Sequence, residues 1–198
     1  MGASNLLRFT SKRLAIPVII FDAGKGAVMV WAAQLAGLGI TQQVIVGLAA
    51  IIGHNWPVFL RFNGGRGILT SLGVISILVP WLGLIGLVIA FGLAPFHQLA
   101  LGVCLSMIFV PTAAWFLSQP LGVTDKLPIT LAFLAIFLIS IIRRLTAPRT
   151  SLTTSVTTRQ LILNRLLFDR DIRDREAWIH RTPPKASLTK QQEKQEKD

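Results

Sequence analysis

The sequence predicts an all-α fold: a polytopic transmembrane helical bundle with about six spans, two of them short, and a basic cytoplasmic C-terminal tail. Hydrophobic residues make up 52% of the 198 residues and tyrosine is absent, which is too apolar for an ordinary soluble domain. The apolar residues form runs long enough to cross a bilayer, for which about 20 helical residues suffice. Most of the 20 lysines and arginines lie from Arg143 onward, after the last apolar run. The positive-inside rule predicts that such a tail is cytoplasmic.

The apolar runs cover residues 14–40, 41–62, 68–94, 97–117 and 127–142. The third run is longer than one span needs, and it contains Pro80, which breaks the backbone hydrogen bonding of a helix. If the loop before this run and the basic tail both face the cytoplasm, an even number of crossings must separate them. Dividing the run at Pro80 gives four crossings, so we predict two short or tilted helices there.

The chain divides into a transmembrane domain at residues 1–149 and a basic cytoplasmic tail at residues 150–198. Within the tail, leucine and isoleucine residues are interleaved with arginines at helical spacing. This pattern predicts an amphipathic helix over residues 159–181 that lies on the inner membrane surface or against the loops. Two prolines follow it, and the low-complexity residues after them predict a disordered end.

One stretch between the second and third runs, residues 53–67, concentrates polar and flexible residues. Gly64, Gly65 and Gly67 leave backbone N–H groups unobstructed, and Arg66 adds a fixed positive charge, a combination that binds phosphate. His54 lies upstream in the same stretch. A packed, hydrogen-bonded histidine and a functional one are both open interpretations of this residue.

Two ionisable residues interrupt the first apolar run. Asp22 and Lys25 lie three residues apart, which places them on one face of the predicted helix. They form either a self-neutralising pair near the membrane interface or a functional pair in which Asp22 positions Lys25 toward a substrate phosphate. The second interpretation is favoured because ionisable residues inside a membrane usually serve a function.

The motifs of soluble enzymes are absent from the sequence, which has no G-x-S-x-G, no Walker A, no H-E-x-x-H and no cluster of carboxylates or thiols with metal-ligand spacing. We therefore predict no metal and no cofactor. The net charge of +11 does not indicate nucleic-acid binding, because the basic residues are concentrated in the tail. The remaining chemistry rests on cations, hydrogen-bond donors and glycine backbone, as phosphate chemistry requires.

Two stretches resemble the bacterial membrane glycerol-3-phosphate acyltransferases that use acyl phosphate as donor. The first comprises residues 2–8, a basic turn and the pattern Asp22-x-x-Lys25-Gly26. The second is the glycine-rich stretch, followed by Thr70, which reads Gly53-His54-x-x-Pro57-x-Phe59-Leu60-x-Phe62-x-Gly64-Gly65-Arg66-Gly67. The resemblance covers residues 2 to about 149 and leaves the tail outside it.

The resemblance implies transfer of a fatty acyl group from acyl phosphate to the 1-hydroxyl of glycerol 3-phosphate. The product is lysophosphatidic acid for phospholipid synthesis, made at the cytoplasmic face of the bacterial inner membrane. Catalytic roles fall to Arg66 and to His54, which either helps to deprotonate the hydroxyl or binds a phosphate. The implied substrate-binding residues are Ser4, Asn5, Arg8, Lys25, Gly53, Gly64, Gly65, Gly67, Thr70 and Arg149. The expected partners are the two substrates and membrane lipid, while the oligomeric state stays open.

The sequence departs from the family pattern in three places. The family's first helix is missing ahead of Gly2, so we expect a misplaced start or a fragment. Two lysines of the second motif are replaced by Asn63 and Arg66. The third motif is only approximated, by residues 143–149 or by residues 164–167. Two other hypotheses therefore remain: a small membrane transporter subunit and an inactive truncated paralogue.

Overall fold

The fold is that of a computed structural model, which describes residues 12–123 and 125–180. Every regular element within these residues is helical, so the prediction of an all-α fold is confirmed. The α-helices are α1 (Lys12–Leu35), α2 (Ile40–Asn55), α3 (Ile68–Leu78), α4 (Pro80–Gly92), α5 (Leu99–Phe116), α6 (Lys126–Leu145), α7 (Thr158–Phe168) and α8 (Arg175–Ile179). Short 3₁₀ helices occupy Val58–Leu60 and Ser151–Ser155.

Six of these helices are apolar, and they match the predicted set of spans. Four segments are long and apolar enough to cross a membrane, and α3 and α4 are shorter apolar helices. The division of the third run at Pro80 is confirmed, because α3 ends at Leu78 and Pro80 is the first residue of α4. Val79 between them is extended, as expected before a proline.

The interior of the bundle is small and the outside is large and apolar. Branched aliphatic residues from α1 to α6 form one core, which is completed by Phe133 at 1% exposure. Large side chains on the outer helix faces remain exposed, such as Phe21 at 70% and Trp81 at 62%. A membrane solvates such surfaces, whereas water does not. This distribution is that of a multi-pass membrane protein.

Helices α1 and α3 cross closely, and this crossing positions the candidate site. A Cβ atom at Gly26 would overlap the carbonyl oxygen of Thr70, and one at Gly73 would overlap that of Ala23. Small residues at such a crossing let two helix backbones approach each other inside a membrane. The hydroxyl of Thr70 also donates to the carbonyl oxygen of Asp22 at 3.0 Å. The ionisable residues of α1 are thereby held beside the beginning of α3.

The chain separates into two compact units, Met1–Arg144 and Leu145–Asp198, so the division lies slightly before the predicted boundary at residue 149. The C-terminal unit has a polar centre at Asp171. Its carboxylate accepts from Arg165 Nε at 2.8 Å and from the hydroxyls of Thr150 and Thr153, each at 2.8 Å. Arg165 also donates to the carbonyl oxygens of Leu145, Ala147 and Pro148.

The prediction of a single amphipathic helix over residues 159–181 is wrong. Helix α7 ends at Phe168, and Asp169 after it adopts a left-handed conformation with φ of 56°. This reversal returns the chain so that Asp171 reaches Arg165, and a second short helix begins only at Arg175. The buried ion pair therefore overrides the helical periodicity of the sequence. The predicted disordered end, residues 185–198, lies outside the described residues.

Candidate active site

Three segments of the transmembrane unit converge on the glycine-rich loop at residues 64–67. Helix α1 contributes Asp22 and Lys25, the end of α2 contributes His54, and the end of α6 contributes Arg143. These residues are far apart in the sequence, and the packing of α1 on α3 brings the first two to the loop. The site therefore combines cationic groups with a glycine-rich backbone.

The first part of the site is a network of Asp22, Lys25 and His54. Lys25 Nζ donates to Asp22 Oδ1 at 2.7 Å and also contacts His54 Nδ1. His54 Nδ1 lies 3.5 Å from the same carboxylate oxygen. All three side chains are largely shielded from solvent. Lys25 is thus not paired with Asp22 alone, since its ammonium group connects the carboxylate to the imidazole.

The contact with Lys25 favours one of the two neutral tautomers of the imidazole ring. An ammonium group can only donate hydrogen bonds, so Nδ1 of His54 accepts from Lys25. The neutral ring therefore carries its proton on Nε2. That edge of the ring packs on Gly65, where a Cβ atom would overlap Nε2. His54 consequently presents an N–H donor at the glycine-rich loop, and only a glycine leaves room for the ring there.

The second part of the site is the loop itself, which Arg143 holds. Its Nε donates to the carbonyl oxygen of Gly65 at 2.9 Å, and its Nη2 donates to that of Gly64 at 2.8 Å. Both carbonyl dipoles are thereby neutralised by a cation. The N–H groups of Gly64 and Gly67 have no acceptor in the part of the chain that the structure describes. The loop therefore retains donors for an anion, next to the N-terminus of α3.

A further polar group lies beside the loop at Asn55. Its side chain is completely buried, and neither its amide nitrogen nor its amide oxygen has a hydrogen-bond partner within the described residues. It packs against Gly67, whose φ of 69° is left-handed and favours glycine. A Cβ atom at Gly67 would lie 2.5 Å from the Asn55 side-chain oxygen. Close packing and backbone conformation both require glycine at this position.

Sequence reasoning included Arg143 only within the approximated third motif at residues 143–149 and Asn55 only as an upstream donor, and it gave neither residue a specific contact. Arg143 directly follows an apolar run, where the positive-inside rule accounts for it without any contact. The feature that distinguishes it is its burial beside Arg144 at the end of a membrane helix, and only the structure shows this burial. Asn55 adjoins His54 in the sequence, and this adjacency was the only indication of its place.

The structure also locates the other residues proposed from the sequence. Arg66 lies half-buried within the loop. Thr70 is completely buried, and its hydroxyl joins α3 to Asp22 of α1. Gly53 lies on an exposed side of α2, where a Cβ atom would meet no atom within 4 Å. The contacts of Thr70 and Gly53 therefore indicate helix packing and a helix surface, respectively.

Four proposed substrate-binding residues are not placed at this loop by the structure. Ser4, Asn5 and Arg8 lie outside the described residues. Arg149 belongs to the C-terminal unit, where it is exposed. Within the described residues there is no group of three His, Cys, Asp or Glu side chains that could hold a metal ion. The chemistry of the described site is therefore that of an anion-binding site built from ammonium, guanidinium, imidazole and backbone N–H groups.

Comparison with protein families gives one model that covers most of the chain. The model described as "Glycerol-3-phosphate acyltransferase" matches residues 1–151. Glycerol-3-phosphate acyltransferase 5 of Dehalococcoides mccartyi is 47% identical over 183 residues, which cover 91% of this chain and 78% of the relative. Glycerol-3-phosphate acyltransferase of Laribacter hongkongensis is 39% identical over 140 residues, or 68% of this chain and 69% of the relative.

Two solved structures share the fold. Both are crystal structures of PlsY (YgiH), an integral membrane glycerol 3-phosphate acyltransferase. The lysophosphatidic acid form has a TM-score of 0.66 at 23% identity and covers 90% of this chain and 81% of that chain. The glycerol 3-phosphate form has a TM-score of 0.56 at 24% identity, with coverage of 78% and 80%. The helical arrangement described above is therefore shared with integral membrane proteins.

Proposed function

Because this chain belongs to the glycerol-3-phosphate acyltransferase family, we propose that its glycine-rich site transfers an acyl group from acyl phosphate to the 1-hydroxyl of glycerol 3-phosphate. Acyl transfer to glycerol 3-phosphate is the activity of the family. The acyl phosphate donor, the position of the attacked hydroxyl and the roles of individual residues are the new parts of the proposal. The products are lysophosphatidic acid and inorganic phosphate.

The observation that carries the proposal is the convergence of Lys25, His54 and Arg143 on one glycine-rich loop. Both proposed substrates carry phosphate, so they repel each other unless cations and donors surround them. The carboxylate of Asp22 is already paired with Lys25, which leaves the site cationic. Such a site suits two phosphate-bearing substrates.

His54 acts as a phosphate donor in this proposal. With Nδ1 accepting from the Lys25 ammonium group, Nε2 carries the ring proton and donates it in a hydrogen bond to a phosphate oxygen at the loop. This assignment chooses between the two roles that the sequence left open, because a ring that already carries its proton on Nε2 cannot accept one there. Acyl phosphate supplies its own leaving group, and the departing phosphate takes up the proton of the attacking hydroxyl, so no covalent acyl-enzyme is required.

The remaining sequence-based assignments complete the site. Arg66 offsets the charge of the departing phosphate, and the loop N–H groups of Gly64 and Gly67 donate to it. Ser4, Asn5, Arg8 and Arg149 provide further donors and charge for the second phosphate. The excess of basic residues after α6 favours placement of the site and the tail at the cytoplasmic face of the bacterial inner membrane. Acyl chains would reach the site from the surrounding lipid.

The test is an assay of the purified full chain in proteoliposomes. We expect formation of lysophosphatidic acid and phosphate from glycerol 3-phosphate and acyl phosphate, with no product from acyl-CoA. Arg66→Ala should abolish the reaction. Arg61→Ala is the matched control, because Arg61 is an exposed arginine of the same segment, and it should retain activity. Dependence on acyl-CoA would reject the donor, and full activity of Arg66→Ala would reject the site.

The transporter hypothesis is not favoured, because the two relatives described above are both named glycerol-3-phosphate acyltransferases. The same proteoliposomes test it directly, since a transporter subunit would allow solute flux without acyl transfer. An inactive paralogue would give neither signal while remaining folded. The assay therefore separates all three hypotheses with one preparation.

A further inference from the structure

Helix α7 of the C-terminal unit has an exposed apolar face. Leu161 and Arg165 are buried at 7% and 5% exposure, one turn apart on the inner side of the helix. Ile162, Leu163 and Leu167 are 43%, 48% and 38% exposed, and their spacing places them in one stripe on the other side. We call these three residues the α7 stripe. The rest of the described chain leaves it uncovered.

The fold of the unit forces this face outward. Arg165 is fixed by Asp171 at 2.8 Å and by the carbonyl oxygens of Leu145 and Ala147, both at 2.7 Å. Rotation of α7 to bury the stripe would break this buried ion pair and leave its charges unpaired, which is costly. The exposed position of the α7 stripe is therefore determined by the fold of the C-terminal unit.

The charges around the stripe are basic. Arg159 lies near the beginning of α7 and Arg173 shortly after its end, and both are exposed and form no ion pair with another described residue. Three of the nearby acids are engaged elsewhere. Asp171 is paired within the unit, Asp174 caps α8 through the N–H groups of residues 176 and 177, and Glu176 pairs with Arg175. The two arginines thus lie before and after the apolar stripe in the sequence.

We propose that the α7 stripe lies in the headgroup region of the membrane that the rest of the chain spans, with Arg159 and Arg173 on anionic lipid phosphates. Three apolar side chains flanked by arginines fit a lipid surface, which offers acyl chains and negative charge together. The unit follows directly on α6, a membrane-length helix that ends at Leu145, so a bilayer surface is always within reach of it. The family model ends at residue 151, before α7, and the inference does not depend on the acyl-transfer reaction.

The experiment uses the full chain, in a Cys104→Ala background, reconstituted in equimolar phosphatidylcholine and phosphatidylglycerol. A nitroxide label is attached at Leu163→Cys, and its collision with oxygen and with a water-soluble nickel chelate is measured by electron paramagnetic resonance. Leu134→Cys on the exposed side of α6 is the lipid reference, and Glu176→Cys, at an exposed acidic side chain that the proposal does not place on lipid, is the water reference. All three labels replace exposed side chains, so folding is preserved.

We expect the Leu163 label to resemble the Leu134 label, with oxygen accessibility several-fold above that of the chelate. A label as accessible to the chelate as that at Glu176 would overturn the proposal. Exclusion of both reagents would indicate a protein surface, and spectral broadening that disappears on dilution with unlabelled chain would indicate a second copy; either result would also overturn it. In vesicles of phosphatidylcholine alone the label should lie less deep, and an unchanged depth would reject the assignment of the arginines to anionic headgroups.

Discussion

A positive charge alone cannot reproduce the hydrogen bonds that Arg143 makes. Its guanidinium group donates to two consecutive carbonyl oxygens, those of Gly64 and Gly65, and it also lies 5.9 Å from the centre of the Trp56 ring. A lysine ammonium group is a point charge and cannot reproduce this planar fork. The position of the loop therefore depends on the shape of the side chain as well as on its charge.

We expect Arg143→Lys to reduce acyl transfer by about 10²-fold, the order of loss that follows from misplacing a reacting group by about 1 Å. Replacing hydrogen bonds to a charged group should also cost about 2 kcal/mol of stability. Turnover and thermal unfolding of the purified variant measure the two effects. Arg61→Lys, at an exposed arginine before the loop, is the control and should change neither. Normal turnover of Arg143→Lys would show that the loop does not require the two hydrogen bonds from the planar guanidinium group.

Replacement of Asn55, whose side-chain amide has no hydrogen-bond partner among the described residues, should raise stability, whereas Arg143→Lys should lower it. A buried polar group without a partner costs about 1–3 kcal/mol, and an apolar side chain of similar shape removes that cost. We therefore expect Asn55→Leu to raise the melting temperature of the protein. Asn63→Leu, at an exposed amide that donates to Arg61, should not raise it. A lower melting temperature for Asn55→Leu would mean that the amide has a partner in the folded protein.

At the scale of single elements, the crossing of α1 and α3 is the contact on which the site depends. Gly26 and Gly24 occupy the same helix but meet different surroundings. A Cβ atom at Gly26 would overlap the backbone of Thr70, whereas one at Gly24 would meet nothing within 4 Å. The pair therefore separates close packing from the intrinsic cost of glycine in a helix.

We expect Gly26→Ala to destabilise the protein by about 1–3 kcal/mol through overpacking. It should also lower activity, because Asp22 and Lys25 on the same helix would move away from His54. Gly24→Ala should instead stabilise the helix by about 0.5–1 kcal/mol, the usual gain over glycine. The free energy of unfolding and the turnover of both variants should be measured to test this expectation. Equal effects in the two variants would mean that the crossing is not tight.

Elements whose signal is local were predictable from the sequence. Pro80 divides the third apolar run because its missing N–H acts at the residue itself. Helix α7 was predicted too long because its end is set by the contact of Asp171 with Arg165, which no periodicity encodes. The contacts of Arg143 were missed for the same reason, since its partners at Gly64 and Gly65 are distant in the sequence. Sequence motifs indicate which positions are candidates for a functional role, whereas long-range contacts determine the hydrogen-bond partners of each residue.

At the scale of the whole molecule, the two compact units rest on different forces. The transmembrane unit has an apolar core, whereas the centre of the C-terminal unit is a buried ion pair with threonine hydroxyls around it. Burial raises the pKa of Asp171, but hydrogen bonds from Arg165, Thr150 and Thr153 outweigh it and hold the pKa below its usual value. Acid should therefore open the C-terminal unit selectively.

The sign of this pH dependence follows from the depressed pKa. Asp171 stabilises the unit above its unfolded pKa, near 3.8, and the contribution is lost as the pH falls through the lower folded value. Hydrogen exchange of the full chain should show α7 amides losing protection below about pH 4. Amides of α4, which contains no ionisable side chain, should stay protected. Asp171→Asn should expose α7 already at neutral pH and remove the acid transition, because Arg165 then lacks its counter-charge in a buried position. If α7 protection in the wild-type chain did not change with pH, the ion pair would not be what holds the unit together.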